Sequence, residues 1–235
     1  MRVYRGRADT IEADRAAADR IVDWVADERE PAVRVWRPHR QVAFGRRDAR
    51  EDRYDRAREL VEAHDFPTVE REVGGRAVAY TGSTVAFARV TPVDDMRSGL
   101  QDRYDAATTD LLAALDALGV DAREGEPPGS FCPGTHSVQS TADGGGQAWK
   151  LAGLAQRVHG DAAVVAGVLT VRSHDEIAAV LNPVYEALDV PFDPETVGSV
   201  ARAGGDEDSE RVVRTVEDAL ADEPGEELEI EHVGP

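Results

Sequence analysis

Apolar positions along the chain recur with two periods. Over residues 10–26 they fall at Ile11, Ala18, Ile21, Val22 and Val25, the spacing of an amphipathic helix that ends within 27–30. Ala32–Trp36 and Gln41–Phe44 are short β-rich runs around RPHR, where Pro38 and its polar neighbours mark a turn, so they read as a hairpin leading to Gly45. Residues 52–64 are charged, with periodic Tyr54, Ala57, Leu60 and Val61. FPTVEREV then leads to a glycine turn and two more apolar runs, 76–80 and 84–90. A long helix is expected over 103–118, with Ala107, Leu111, Leu112, Leu115 and Leu118 on one face and Gly119 past its end. Residues 149–158 and 162–171 form a second hairpin about Gly160 and Asp161, before a helix at 174–188. The expected class is α+β, a mostly antiparallel sheet flanked by helices.

Residues 1–200 read as one unit. The remainder, 201–235, reads as an acidic C-terminal extension: a flexible link at 203–209, a short helix at 210–221 and the acidic end GEELEIEH. The glycines of TADGGGQ look like the tip of an elongated hairpin.

Charge changes this picture. The 235 residues carry 46 acidic against 27 basic side chains, a formal charge of -19, which argues against a nucleic-acid partner. Acidity, arginine in place of lysine and few aromatics suggest a halophilic archaeon, with stability expected to fall in low salt. The first residues lack the apolar core of a signal peptide and no stretch suits a membrane span, so a cytoplasmic protein is expected. No pattern has metal-ligand spacing.

Against that background two residues stand out. The only lysine, Lys150, and the only cysteine, Cys132, lie in one segment, SFCPGTHSVQSTADGGGQAWKLAGLAQR. A thiol near a cation can be a strong nucleophile, and an ammonium is a compact donor that arginine does not imitate. Upstream, Arg71 and Arg76 flank the pair Gly74 and Gly75, followed by Ala77 and Val78, and a glycine turn lets backbone N–H groups approach a ligand. Downstream, Lys150 opens KLAGLAQR, in which Gly153 and the alanines leave room for a slender ligand and Gln156 follows.

These motifs, together with Val35-Trp36-Arg37-Pro38 and Phe44-Gly45-Arg46, resemble the lipoate-protein ligase and octanoyltransferase family, a relative of biotin-protein ligases, over about 33–171. The resemblance implies a biotin/lipoate ligase-like catalytic domain. The family's ATP-dependent ligases carry RRxSGGGAVxHD, whereas this chain has Arg76 for the third glycine and Tyr80-Thr81 where His-Asp would lie. SFCPG looks like the loop of the cysteine-dependent branch, which moves octanoyl or lipoyl groups between carrier proteins through an enzyme thioester. His136-Ser137 stands where that branch has an aromatic-acidic pair.

The resemblance then implies Cys132 as nucleophile with Lys150 activating it and orienting the acyl carbonyl. Arg71, Gly74, Gly75, Arg76, Ala77, Val78, Gly153 and Gln156 would bind substrate, with N–H groups near Gly74-Gly75 or Gly153 facing the oxyanion. Val78, Leu151 and Leu154 would line an acyl tunnel. No cofactor is implied, and the partners are an octanoyl or lipoyl donor and lipoyl-carrier domains: the glycine cleavage H protein and 2-oxoacid dehydrogenase E2 subunits. The alternatives are an ATP- and Mg-dependent lipoate ligase whose Lys150 holds lipoyl-adenylate, and a non-catalytic carrier-binding subunit. His136 and His159 read as surface residues, Trp36 and Trp149 as packing residues, and Asp94-Asp95 as ordinary surface acids.

Overall fold

A computed structural model describes residues 1–71, 75–95, 98–141, 146–221 and 228–234. In chain order the elements are β1 (Arg2–Arg5), α1 (Ile11–Glu28), β2 (Ala32–Trp36), β3 (Gln41–Phe44), α2 (Tyr54–Glu62), β4 (Thr68–Glu70), β5 (Val78–Tyr80) and β6 (Thr84–Pro92). There follow α3 (Leu100–Ala117), β7 (Arg123–Glu124), β8 (Ser137–Thr141), β9 (Ala148–His159), β10 (Ala162–Thr170), α4 (His174–Ala187), α5 (Ser209–Ala221) and β11 (Glu229–His232). Among the described residues, eight strands form one sheet ordered β11-β1-β2-β6-β10-β9-β8-β7, and three form a second ordered β4-β3-β5. Most pairings are antiparallel; β1 with β11, β1 with β2 and β3 with β4 are parallel.

The local causes are readable. Thr10 caps α1 by accepting from the Ala13 N–H at 3.1 Å, and Arg29 ends it in the left-handed region. Helix α1 buries Ala17, Ile21, Val22 and Val25. Strands β9 and β10 pair from Ala162 with His159 to Leu169 with Ala152 around the expected turn. The connection between β8 and β9 runs through 142–145, outside the described residues, and the expected TADGGGQ tip lies mostly there.

The expected hairpin of β2 with β3 does not form. Strand β2 lies between β1 and β6 in the large sheet, whereas β3 lies between β4 and β5 in the small one. Pro38 has no N–H for a ladder, and Arg37 and His39 turn to the carbonyls of Gly82 and Ala8 instead. Two neighbouring strands therefore serve two sheets, and the cleft between the sheets is where the chemistry collects.

The C-terminal segments join the main body. Val212, Val216 and Leu220 of α5 lie in the same core cluster as Leu111 and Leu115 of α3 and Val33 and Val35 of β2. The stretch 203–209, expected as a flexible link, is pinned: the Gly205 and Asp206 N–H groups donate to Val200 and Leu118 at 2.9 and 3.1 Å.

Candidate active site

Cys132 sits between α3 and β8 with a φ of 41°, a left-handed conformation unusual for a side chain larger than glycine. Such backbone costs about 1–3 kcal/mol and persists only where its surroundings hold it. Here both sides of the residue are held. Its N–H donates to the Tyr185 hydroxyl at 2.6 Å, and that hydroxyl donates to the Ala77 carbonyl at 3.0 Å. Its carbonyl accepts from Lys150 Nζ at 3.0 Å.

Lys150 is 1 % exposed. Its ammonium also donates to the Phe131 carbonyl at 3.0 Å and to both oxygens of Glu126 at 3.1 Å. An ammonium has three protons, so these acceptors use all of them. The structure thus brings Cys132 and Lys150 together through the cysteine's carbonyl, with the ammonium committed to fixing the loop. Gly153 leaves room for this arrangement, since an added Cβ would lie 3.3 Å from Lys150 Cε.

Glu126, like Tyr185, is a residue that sequence reasoning missed. Besides Lys150 it accepts from the hydroxyls of Ser130 and Ser137 and from the Gly134 N–H at 3.2 Å, so one carboxylate gathers both flanks of the cysteine loop. An acid between Gly125 and Pro127 carries no distinguishing signal in a chain with 46 acids.

The sulfur looks the other way. The Arg76 N–H points at Sγ at 3.4 Å, and Arg71 Nη2 lies 4.0 Å from it while also donating to the Arg76 carbonyl at 2.5 Å. Burial acts to lower the Arg71 pKa, but the pull of Tyr80 and Cys132 outweighs it, so Arg71 stays above its ordinary value and charged. Gly75 has φ 97°, and a Cβ there would lie 2.9 Å from Sγ; a Cβ on Gly45 would collide with the Gly75 carbonyl. These two glycines let three backbones meet at the thiol. Gly74, also expected here, lies outside the described residues. Burial pushes the Tyr185 hydroxyl well above its usual range and raises Tyr80, with the adjoining cysteine adding to both. Both stay neutral, which suits Tyr185 as a hydrogen-bonding post.

The thiol opens into a cavity of about 330 Å³ whose wall includes Val78, Tyr80, Phe87, Leu154, Gly167 and His136. A second cavity of about 320 Å³, between α1 and the sheet, shares Arg15, Ala18, Trp36, Arg71, Ala155 and Ala166 with it. Val78 and Leu154 line the cavity at the thiol. Leu151 does not line it: fully buried, it lies with Ala152 in the main core cluster, at the register shift between β8 and β9. Gln156 lines the second cavity, away from the thiol; its amide, oriented with oxygen toward Arg103, accepts from Nη2 at 2.9 Å and donates to the Leu100 carbonyl at 3.0 Å. Ala77 contributes its carbonyl to Tyr185.

The remaining candidates separate. His136 stacks on Tyr104, ring centroids 3.6 Å apart, and borders the thiol cavity, whereas His159 is exposed at the hairpin end. Trp36 lines both cavities and donates to Asp14 at 3.0 Å; Trp149 lies under the Arg202 guanidinium. Asp94 pairs with Arg29. Among the described residues no group of three His, Cys, Asp or Glu side chains is placed to hold a metal ion, and no helix is long and apolar enough to cross a membrane.

Comparison with known proteins gives the family and the fold of the whole chain. The model of the lipoyl protein ligase A/B catalytic domain matches residues 11–220. An octanoyl-[GcvH]:protein N-octanoyltransferase of Oceanobacillus iheyensis is 27 % identical over 244 residues, covering 96 % of this chain and 85 % of that protein. In fold, the chain is similar to a lipoate-protein ligase A solved with ATP, at a TM-score of 0.70 and 19 % identity over 100 % of this chain and 88 % of that one. It is also similar to the bipartite lipoate protein ligase of Thermoplasma acidophilum, studied with its E2 lipoyl domain, at 0.60 and 16 % over 100 % and 86 %.

Proposed function

The chain belongs to the lipoyl protein ligase A/B catalytic domain family, and within it we propose that it is an octanoyltransferase working through a thioester on Cys132. The observation that carries this reading is the held cysteine: a thiol in a left-handed turn, facing an apolar cavity, with one backbone N–H and one guanidinium directed at its sulfur. The relative from Oceanobacillus iheyensis, named for moving octanoyl from GcvH to protein, supports the reaction class, and the E2 domain studied with the Thermoplasma ligase supports the kind of acceptor.

The steps follow from the geometry. Arg71 Nη2 and the Arg76 N–H both face the Cys132 sulfur, which attacks as its thiolate. The thiolate attacks the carbonyl of an octanoyl group held in amide linkage on the lysine of a donor carrier domain, of the glycine cleavage H protein kind. Carbon–sulfur bonding forms a tetrahedral oxyanion, and the Arg76 N–H at the Gly75 turn is the donor in reach of it. The carbon–nitrogen bond breaks as the departing lysine amine takes from solvent the equivalent of the proton that the thiol gave up. The neutral lysine amine of an acceptor E2 lipoyl domain then attacks the thioester, an amide forms, and its surplus proton returns to the cysteine sulfur. One amide replaces another, so this reading needs no ATP, no metal and no cofactor.

Lys150, Glu126 and Tyr185 hold the loop that makes the sulfur point correctly. Burying the alkyl chain contributes about 0.8 kcal/mol per methylene. A catalytic thiol suits a reducing compartment, and we place the reaction in the cytoplasm. The test is transfer from an octanoylated H-protein-type carrier to an E2 lipoyl domain without nucleotide. Transfer without ATP is expected; acceptor acylation only from free octanoate or lipoate with Mg-ATP would overturn the reading in favour of a ligase.

A further inference from the structure

The segment between β3 and α2 reads RRDAREDR over 46–53, four arginines among three acids. Two of its acids are engaged by Arg76, whereas Asp52 and the four arginines are exposed. Asp48 is fully buried and, with Glu51, accepts from Arg76 Nη1 at 3.2 and 2.7 Å, while Asp48 also receives the Gly45 N–H at 3.0 Å. Arg46, Arg47, Arg50 and Arg53 are all exposed. Among the described residues none of these four guanidiniums has an ion-pair, hydrogen-bond or aromatic partner, in a chain whose formal charge is -19. Carboxylates are plentiful on this protein, yet this segment commits Asp48 and Glu51 to Arg76 and leaves four cations bare beside a single exposed acid, Asp52.

The position of the segment is as telling as its charge. Gly45 precedes it and packs on the Gly75 carbonyl, and Gly75 packs on the thiol. Arg76 joins the two: its N–H faces Cys132 Sγ and its guanidinium holds Asp48 and Glu51. The bare arginines are thus fastened to the residue that touches the nucleophile.

We propose that Arg46, Arg47, Arg50 and Arg53 form the docking surface for the carrier domain, and that they recognise carboxylates flanking its target lysine. This rests on the acyl-transfer reading. A protein of net charge -19 repels an acidic partner over most of its surface, so a local knot of positive charge, joined to the thiol site through Gly45 and Arg76, favours the approach that brings the lysine to the cleft. Charge complementarity of this kind acts mainly on encounter and register, and it weakens as salt shortens the Debye length from about 10 Å at 0.1 M to about 3 Å at 1 M.

The experiment uses the full chain with Arg47→Glu, Arg50→Glu and Arg53→Glu combined, and a control reversing two exposed arginines elsewhere, Arg20→Glu and Arg214→Glu. Three quantities are read: self-acylation by an octanoyl thioester of a small thiol, transfer to an E2 lipoyl domain, and binding of the unacylated domain by titration. The triple variant should self-acylate at the wild-type rate yet lose about tenfold in kcat/KM for the domain near 0.1 M salt, the deficit closing toward 1 M. Binding should weaken in parallel, and the control should match wild type in all three.

Equal kcat/KM and binding in the triple variant and wild type at every salt concentration overturns the proposal. So does equal loss in the control, which would make net charge rather than this patch responsible. Loss of self-acylation in a folded triple variant also overturns it, because the arginines would then serve the site itself. Binding needs no chemistry, so a wild type that binds the domain through this patch without acylating Cys132 would retain the docking surface while failing the transferase reading.

Discussion

Tyr185→Phe isolates the tether that holds the nucleophile. The substitution keeps the ring, which is 1 % exposed, and removes only the hydroxyl. That hydroxyl accepts from the Cys132 N–H at 2.6 Å and donates to the Ala77 carbonyl at 3.0 Å, so two backbone groups lose their partner at once. A buried group left without its hydrogen bond costs about 1–3 kcal/mol; because Cys132 is only half-buried, the pair should lower stability by about 2–4 kcal/mol, the lower part of the summed range. With a denaturant slope near the upper end of about 1–3 kcal/mol per M urea, the unfolding midpoint should fall by about 1 M. The kinetic effect is more telling. The φ of 41° at Cys132 is maintained by this tether on one side and Lys150 on the other; with one gone the turn relaxes and the sulfur shifts. Misplacement of about 1 Å can slow a positioned reaction about 100-fold, so self-acylation of Cys132 should slow by about 10- to 100-fold. The assay is single-turnover acylation by an octanoyl thioester beside urea unfolding, at conditions where the variant remains folded. A variant within about 0.5 kcal/mol of wild type that acylates at the wild-type rate would refute the claim that Tyr185 holds the elbow.

Other consequences follow from the same geometry. Glu126→Gln leaves the buried Lys150 ammonium without its counter-charge and should destabilise by about 2–3 kcal/mol in urea unfolding, the carboxylate being 23 % exposed, with slower acylation of Cys132. Ala166→Leu narrows the wall that both cavities share: wild type should prefer octanoyl over hexanoyl donors by about 15-fold, from two methylenes at about 0.8 kcal/mol each, and competition kinetics should show that preference shrink in the variant. Burial raises the Asp48 carboxyl above its usual range, against the opposing Gly45 N–H and Arg76. The folded state therefore keeps this proton to higher pH than the unfolded chain. Its contribution is fully present below about pH 4 and is lost as pH rises through the folded pKa, so urea midpoints measured from acid upward should show that decline in wild type and its absence in Asp48→Asn.

Much of this was legible in the sequence where the determinants are local. The apolar period of α1, the run of leucines in α3 and the β9–β10 hairpin give themselves away within a dozen residues. Cys132 and Lys150 were conspicuous because the chain uses each residue type once. What stayed hidden depends on contacts between distant positions. Nothing in Ala32–Trp36 or Gln41–Phe44 says that they join different sheets, since each pairs with strands far along the chain. The sulfur's neighbour, the Arg76 N–H, is 56 residues away, and Tyr185, which holds the Cys132 N–H, is 53 residues on and occupies a position of α4 that reads as ordinary core. Lys150 was expected to face the thiol; the folded chain gives its protons to Glu126 and two carbonyls, an arrangement set by the turn at Cys132 that spacing alone does not encode.

The central claim is covalent: an octanoyl group rests on Cys132 during turnover. The direct measurement is intact mass of the purified protein in high salt after incubation with an octanoylated carrier protein and no ATP, with and without hydroxylamine, beside Cys132→Ala. The account predicts one octanoyl adduct that hydroxylamine removes and that the alanine variant never forms. An unmodified wild-type protein that still transfers octanoyl to the acceptor, or an adduct that persists in Cys132→Ala, would contradict it.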